Sequence, residues 1–121
     1  ECREQVLNLV RNKVLVGHSL KNDLRALGIQ HPWWLIRDTA KYAPFMQDRL
    51  ADGVLWPRKL KDLVREMIHR EIQLAGQPHS PYEDALASLD LYKSVRQKWE
   101  KLMCYNIEKT KRIQQHQRAT Q

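Results

Sequence analysis

Between residues 5 and 39 the chain switches hydrophobic period repeatedly, and that alternation restricts its fold more than any other feature. Val6, Leu9 and Val10 recur at helical spacing and predict the end of an amphipathic helix over residues 5–11. Lys13-Val14-Leu15-Val16-Gly17-His18 follows, a short β-branched run closed by glycine, as expected of a buried strand. Leu20, Leu24 and Leu27 then form the apolar face of a second helix, with Ser19 as its expected N-cap and Gly28 as its stop. After a loop at His31-Pro32-Trp33-Trp34, Leu35-Ile36-Arg37-Asp38-Thr39 predicts a second short strand. Helix, strand, helix, strand is the order of an α/β sheet protein, and 121 residues leave room for one domain at most.

The remainder is helical in pattern. A loop containing Pro44, Gly53 and Pro57 precedes a predicted helix over residues 60–72, with Leu60, Leu63, Val64, Met67 and Ile68 on one side. Gly76-Gln77-Pro78 interrupts the chain, and a long helical pattern then runs from Pro81 through Leu86, Leu89, Tyr92 and Val95 toward Trp99. Apolar residues thin out beyond Tyr105, so the last residues are expected to fray or lack order. This divides the chain into a body, residues 1–100, and a tail, residues 101–121, helical or disordered. From Lys93 onward there are eight Lys/Arg against two Glu, a charge of +6, whereas residues 1–92 carry only +1. Such a tail suits phosphate binding by counterion release, and equally suits a plain solvated helix. No run of about 18 apolar residues marks a transmembrane helix, and the charged start Glu1-Cys2-Arg3-Glu4 does not read as a signal peptide. Cys2 and Cys104 lie outside any CxxC pattern, which favours two free thiols over a disulfide.

Chemistry enters at His79-Ser80-Pro81-Tyr82-Glu83-Asp84. Ser80 and Glu83 are spaced as a capping box and Pro81 takes the first helical position. His79 and Asp84 then fall at the two positions whose side chains meet across a helix start, where apolar groups are usual. Two readings are open: a reaction centre with His79 as base and Asp84 as metal ligand, or a surface His–Asp contact. A second candidate is Asp23, in the first turn of a helix leaving a strand end, where open α/β sheets place their sites. It also reads as a favourable first-turn charge. Lys21 and Arg25, on the exposed face of the same helix, are candidates for phosphate binding or for a solvated face.

Taken together, these segments resemble the DEDDh exonucleases. "LVGHSLKNDLRAL" is similar to their second motif and "HSPYEDALASLDLY" to their third, while "IRDTAKYAPF" resembles the intervening segment of the RNA exonuclease 4 family. The resemblance implies a ribonuclease H-like α/β fold, in which a mixed five-stranded sheet is flanked by helices. It also implies a 3′→5′ exonuclease acting on single-stranded RNA, with DNA left open as the alternative substrate, in RNA or rRNA processing within the nucleus or nucleolus. Two divalent cations, Mg²⁺ or Mn²⁺, are implied as cofactors. Carried over by motif, Asp23 and Asp84 are metal ligands and His79 the general base; Asp38 matches an acidic position of the family and reads as structural.

The family's first motif, a D-x-E, has no counterpart among these residues: Asp62, for example, is followed two places later by Val64. The expected fold is therefore incomplete, the C-terminal two-thirds of such a domain with two of four metal carboxylates, and inactive alone. The competing expectation is a catalytically dead nucleic-acid-binding protein that retains part of the fold. Of the four tryptophans, Trp33, Trp34, Trp56 and Trp99, packing beneath a loop is expected ahead of base stacking. His31, His69 and His116 lack ligand-like spacing, and neither a Gly-rich phosphate loop nor a G-x-S-x-G elbow is present.

Overall fold

The computed structural model describes residues 2–120. Five α-helices and two strands follow in the order α1 (Cys2–Val10), β1 (Leu15–Gly17), α2 (Leu20–Leu27), β2 (Ile36–Asp38), α3 (Leu60–Ile68), α4 (Pro81–Ser94) and α5 (Arg96–Ala119). Short 3₁₀ turns at Trp33–Leu35 and Ala43–Phe45 flank β2. β1 and β2 pair in parallel, with Leu15 opposite Ile36, Val16 opposite Arg37 and Gly17 opposite Asp38. Parallel neighbours need a crossover, and α2 provides it. Among the described residues the sheet consists of these two strands, and the expected α/β architecture holds.

The core lies on one side of this sheet. α4 packs against β1, α3 and α5. Its Ala87 and Ser88, both fully buried, let its backbone approach the strand, while Leu91 and Tyr92 reach deeper. Leu60, Leu63 and Val64 of α3 meet them, together with Ile72, Phe45 and Met103. Each such fully buried aliphatic side chain contributes about 1.5–3 kcal/mol of transfer free energy. Trp99 stands at the centre of an aromatic cluster, stacked on Tyr42 with ring centroids 4.1 Å apart and edge-on to Phe45 and Tyr92. Arg37 ties α5 to β2: its Nε and Nη2 donate to the Glu100 carboxylate at 2.8 and 3.1 Å, and Nη1 donates to the Trp34 and Ile36 carbonyls.

Several elements differ from the sequence reading. Ser19 does not cap α2 with its side chain; it sits in the left-handed region at φ 61°. The Asp38 carboxylate caps the helix instead, accepting from Ser19 N–H and Leu20 N–H at 2.8 and 3.0 Å. Gly28 ends α2 as expected at φ 66°, where a glycine avoids the cost of a side chain. α3 stops at Ile68, because His69 turns into the left-handed region, and Ile72 enters the core from the following loop. The long pattern after Pro81 is two helices: Val95, at φ −126° and ψ 17°, breaks it, and the Ser94 hydroxyl donates to the Leu91 carbonyl at 2.6 Å. α5 crosses residue 100 without a break and remains helical to Ala119. Trp33 and Trp34 pack edge to face and stay 44% and 47% exposed, so neither is covered by a loop. Cys2 and Cys104 are free and exposed, and no helix among the described residues is long and apolar enough to cross a membrane.

Candidate active site

β1 and β2 end together at Gly17 and Asp38, and the chain beyond both ends builds the site. Gly17 is buried with Leu20 directly against it; a Cβ there would lie 2.5 Å from Leu20 Cδ2. That absence of a side chain lets α2 begin immediately after the strand. Asp38 fixes the start of α2 through the two N–H groups already described and also accepts from Ala40 N–H at 2.9 Å. A carboxylate with three backbone donors is both a cap and a rivet between β2 and α2. Asp38 therefore acts as a structural residue, as the sequence suggested. Asp23, one turn into α2, is exposed.

The other wall comes from the start of α4. Ser80 caps the helix, its hydroxyl accepting from Glu83 N–H at 3.3 Å. The reciprocal half of the expected capping box is not made, because the Glu83 carboxylate accepts from Gln73 N–H at 3.2 Å. Nor does Asp84 bond to His79: its Oδ1 accepts from Gln73 Nε2 at 3.0 Å. His79 is exposed and Asp84 half-buried.

Asp23, His79 and Asp84 nonetheless line one cleft of about 630 Å³, floored by Val16 and Gly17 of β1. The structure thus brings the two carboxylates and the imidazole to one opening beyond a strand end. Three further residues share it that the sequence did not single out: His18, Lys59 and Gln73. His18 follows β1 directly, and its strand-end position was its signal. Its Nδ1 shares a 2.8 Å hydrogen bond with Thr39 Oγ1, whose hydroxyl lies 3.1 Å from the Gly17 carbonyl. Burial pushes the His18 imidazole below its ordinary value, opposed by Asp38, the Arg58 carbonyl and Asp84. Gln73, in the loop before α4, had no sequence signal; only the folded chain turns it toward Asp84.

Lys21 and Arg25 are not part of this cleft. They face away from it and line a separate groove of about 1010 Å³ on the other flank of α2. Among the described residues no group of three or more His, Cys, Asp or Glu side chains is placed to hold a metal ion. The donor set is nevertheless of the right kind. Asp23 is exposed, Asp84 has only Oδ1 engaged, and Mg²⁺ or Mn²⁺ binds through one or two carboxylates with water and substrate phosphate completing the shell.

No family model matches the chain. RNA exonuclease 4 of Mycosarcoma maydis is 41% identical over 103 residues, which cover 85% of this chain and 26% of that protein. Apoptosis-enhancing nuclease of Rattus norvegicus is 37% identical over 99 residues, covering 82% of this chain and 30% of its own length. The chain thus spans about a quarter to a third of the curated relatives it matches. In structure it is similar to the Saccharomyces cerevisiae Pan2 pseudoubiquitin hydrolase–RNA exonuclease module in complex with A7 RNA. That likeness has a TM-score of 0.65 and 31% identity, covering 91% of this chain and 18% of that one. The two parallel strands with their helices are accordingly part of a ribonuclease H-like exonuclease fold. By sequence and fold together, this segment belongs to the exonuclease family that includes RNA exonuclease 4.

Proposed function

We propose that the protein is a metal-dependent 3′→5′ exoribonuclease of the DEDDh type, hydrolysing single-stranded RNA in the cleft shared by Asp23, His79 and Asp84. The observation that carries this reading is the convergence of those three side chains, from α2 and the start of α4, beyond the end of β1. RNA as the substrate is supported by the relatives: RNA exonuclease 4 by its name, and the Pan2 module by the RNA it holds.

Asp23 and Asp84 would hold divalent cations, which when bound polarise the phosphodiester and favour deprotonation of water. The rest follows from the chain's own groups. His79, exposed at the cleft mouth, accepts the proton of the attacking water, work suited to an imidazole near neutral pH. Lys59, at the start of α3, places a positive charge on the same cleft to receive a substrate phosphate. Gln73 holds the Asp84 carboxylate in one orientation. His18, whose neutral form is favoured by burial and whose ring is fixed through Thr39, lines the inner wall.

With two carboxylates in place of the family's four, the 121-residue chain alone trims RNA slowly or not at all. The test is 3′-end trimming of labelled single-stranded RNA with Mg²⁺ or Mn²⁺ by three proteins. These are the chain alone, the chain joined to the opening D-x-E strands of an RNA exonuclease 4 relative, and that fusion carrying Asp84→Asn. Trimming by the fusion that Asp84→Asn abolishes is the expected result, and His79→Ala in the fusion should slow it about 10²–10⁴-fold. Trimming that survives Asp84→Asn would overturn the site assignment. A fusion that binds RNA without cutting it would make this a nucleic-acid-binding protein.

A further inference from the structure

The groove on the far flank of α2 has a composition that the cleft chemistry does not explain. Its floor is apolar, formed by Ile36 of β2 and by Leu102 and Met103 of α5. Around it stand Lys21, Arg25 and Lys41, all exposed. Lys21 and Arg25 are four residues apart on one helix face, which sets their Cβ atoms roughly 5–6 Å apart along the groove.

These cations stand apart from the arginines that the fold holds in ion pairs. Arg37, Arg58, Arg65 and Arg70 pair with Glu100, Glu66, Glu71 and Asp90. Lys21, Arg25 and Lys41 have no carboxylate partner among the described residues. One acidic residue lines the groove, Asp38, and its carboxylate is occupied by three backbone N–H groups. His31, also on the rim, is committed to the Lys13 carbonyl at 2.9 Å. The groove is therefore a concave surface on which three cations outnumber one buried carboxylate over an apolar floor, and the chemistry that answers it is a flexible polyanion with apolar faces. α2 separates this groove from the cleft: Leu20 and Asp23 line the cleft, while Lys21, Leu24 and Arg25 line the groove.

From this we infer that the groove is a second nucleic-acid site, in which Lys21, Arg25 and Lys41 bind backbone phosphates of a single-stranded RNA whose 3′ end crosses α2 into the cleft. The inference deepens the exoribonuclease reading and takes its choice of polyanion from it. The test reads binding, so it stands or falls separately from cleavage.

The binding of an oligouridine of about 12 nucleotides to the 121-residue chain is measured by fluorescence anisotropy between roughly 50 and 200 mM salt. Each phosphate left without its cation lowers the log–log salt slope by about 0.7. The triple variant Lys21→Ala/Arg25→Ala/Lys41→Ala should therefore lower it by about 2. A control with the same change in charge, Arg65→Ala/Arg70→Ala/Lys93→Ala, should lower it by less than half as much. All three groove positions are exposed, and far-UV circular dichroism checks that the variant stays folded. As a second readout, RNA should shift the amide resonances of Leu102 and Asn106 on the groove wall in the native chain and not in the groove variant. Equal falls in slope for groove variant and control, or an unchanged slope for the groove variant, would overturn the inference. So would tighter binding of an acidic peptide than of oligouridine, which would assign the groove to a protein partner.

Discussion

Replacing Asp38 by alanine is the most informative single perturbation of the scaffold, because one carboxylate holds three backbone donors from two segments. Ala40 is buried, so its N–H would lose its partner with little access to water, a cost of about 1–3 kcal/mol. Ser19 and Leu20 are half-buried and begin α2; losing an N-cap acceptor there costs about 1 kcal/mol more. The sum for Asp38→Ala is about 3 kcal/mol. Asp38→Asn keeps one carbonyl oxygen but turns an N–H₂ group toward a backbone donor, and should cost about half as much. The assay is urea unfolding followed by tryptophan fluorescence. With a slope of about 1–3 kcal/mol per molar urea, the alanine variant should lower the midpoint by about 1–3 M. Amide exchange at Asn22 and Asp23 should rise more than exchange in α4, since only α2 loses its start. An alanine variant destabilised by less than about 1 kcal/mol would refute the view that Asp38 rivets β2 to α2.

Trp99→Ala should cost about 3–5 kcal/mol in the same urea assay, because it opens a cavity among Tyr42, Phe45 and Tyr92; Trp99→Phe should cost less. The Arg37 guanidinium hydrogen-bonded to Glu100 holds that carboxyl below the usual carboxylate range. A depressed folded value means that the pair's stabilisation is present above about pH 4.3, the ordinary glutamate value. It is lost as pH falls through the lower folded value, so Glu100→Gln should flatten the acid limb of a stability–pH profile. Deleting residues 110–121, which carry Lys111, Arg112 and Arg118 on the exposed end of α5, should lower the salt slope of RNA binding; an unchanged slope would make that end a passive helix.

The sequence was legible where local rules and tertiary structure agree. Leu20, Leu24 and Leu27 with Gly28 define α2 to the residue, and the β-branched run before Gly17 defines β1. It was less legible where a distant group replaced a local one. Ser19 looked like a cap because nothing nearby in sequence revealed that Asp38 would take its place. Glu83 and Asp84 looked reciprocal with Ser80 and His79, but Gln73 claims both carboxylates from the preceding loop. The break at Val95 was invisible to a periodicity that runs through Leu89, Tyr92, Val95 and Trp99, of which Tyr92 and Trp99 are buried in the core and Leu89 and Val95 pack against it. Asp23, His79 and Asp84 were found by motif and do share a cleft; Lys21 and Arg25 were found on the right helix but face its other flank. An eight-residue helix places residues two apart on different faces, and which face meets which cavity is decided by tertiary packing.

The most direct test of the central claim, that Asp23 and Asp84 form the cation-binding side of a nuclease cleft, is Mn²⁺ titration followed by paramagnetic broadening of backbone amide resonances. The account predicts broadening first at Gly17, Leu20, Asp23 and Ala85 around the cleft, with the effect abolished in Asp23→Asn/Asp84→Asn. Broadening that instead centres on the exposed turn of Asp48 and Asp52, or that survives the double substitution, would contradict it.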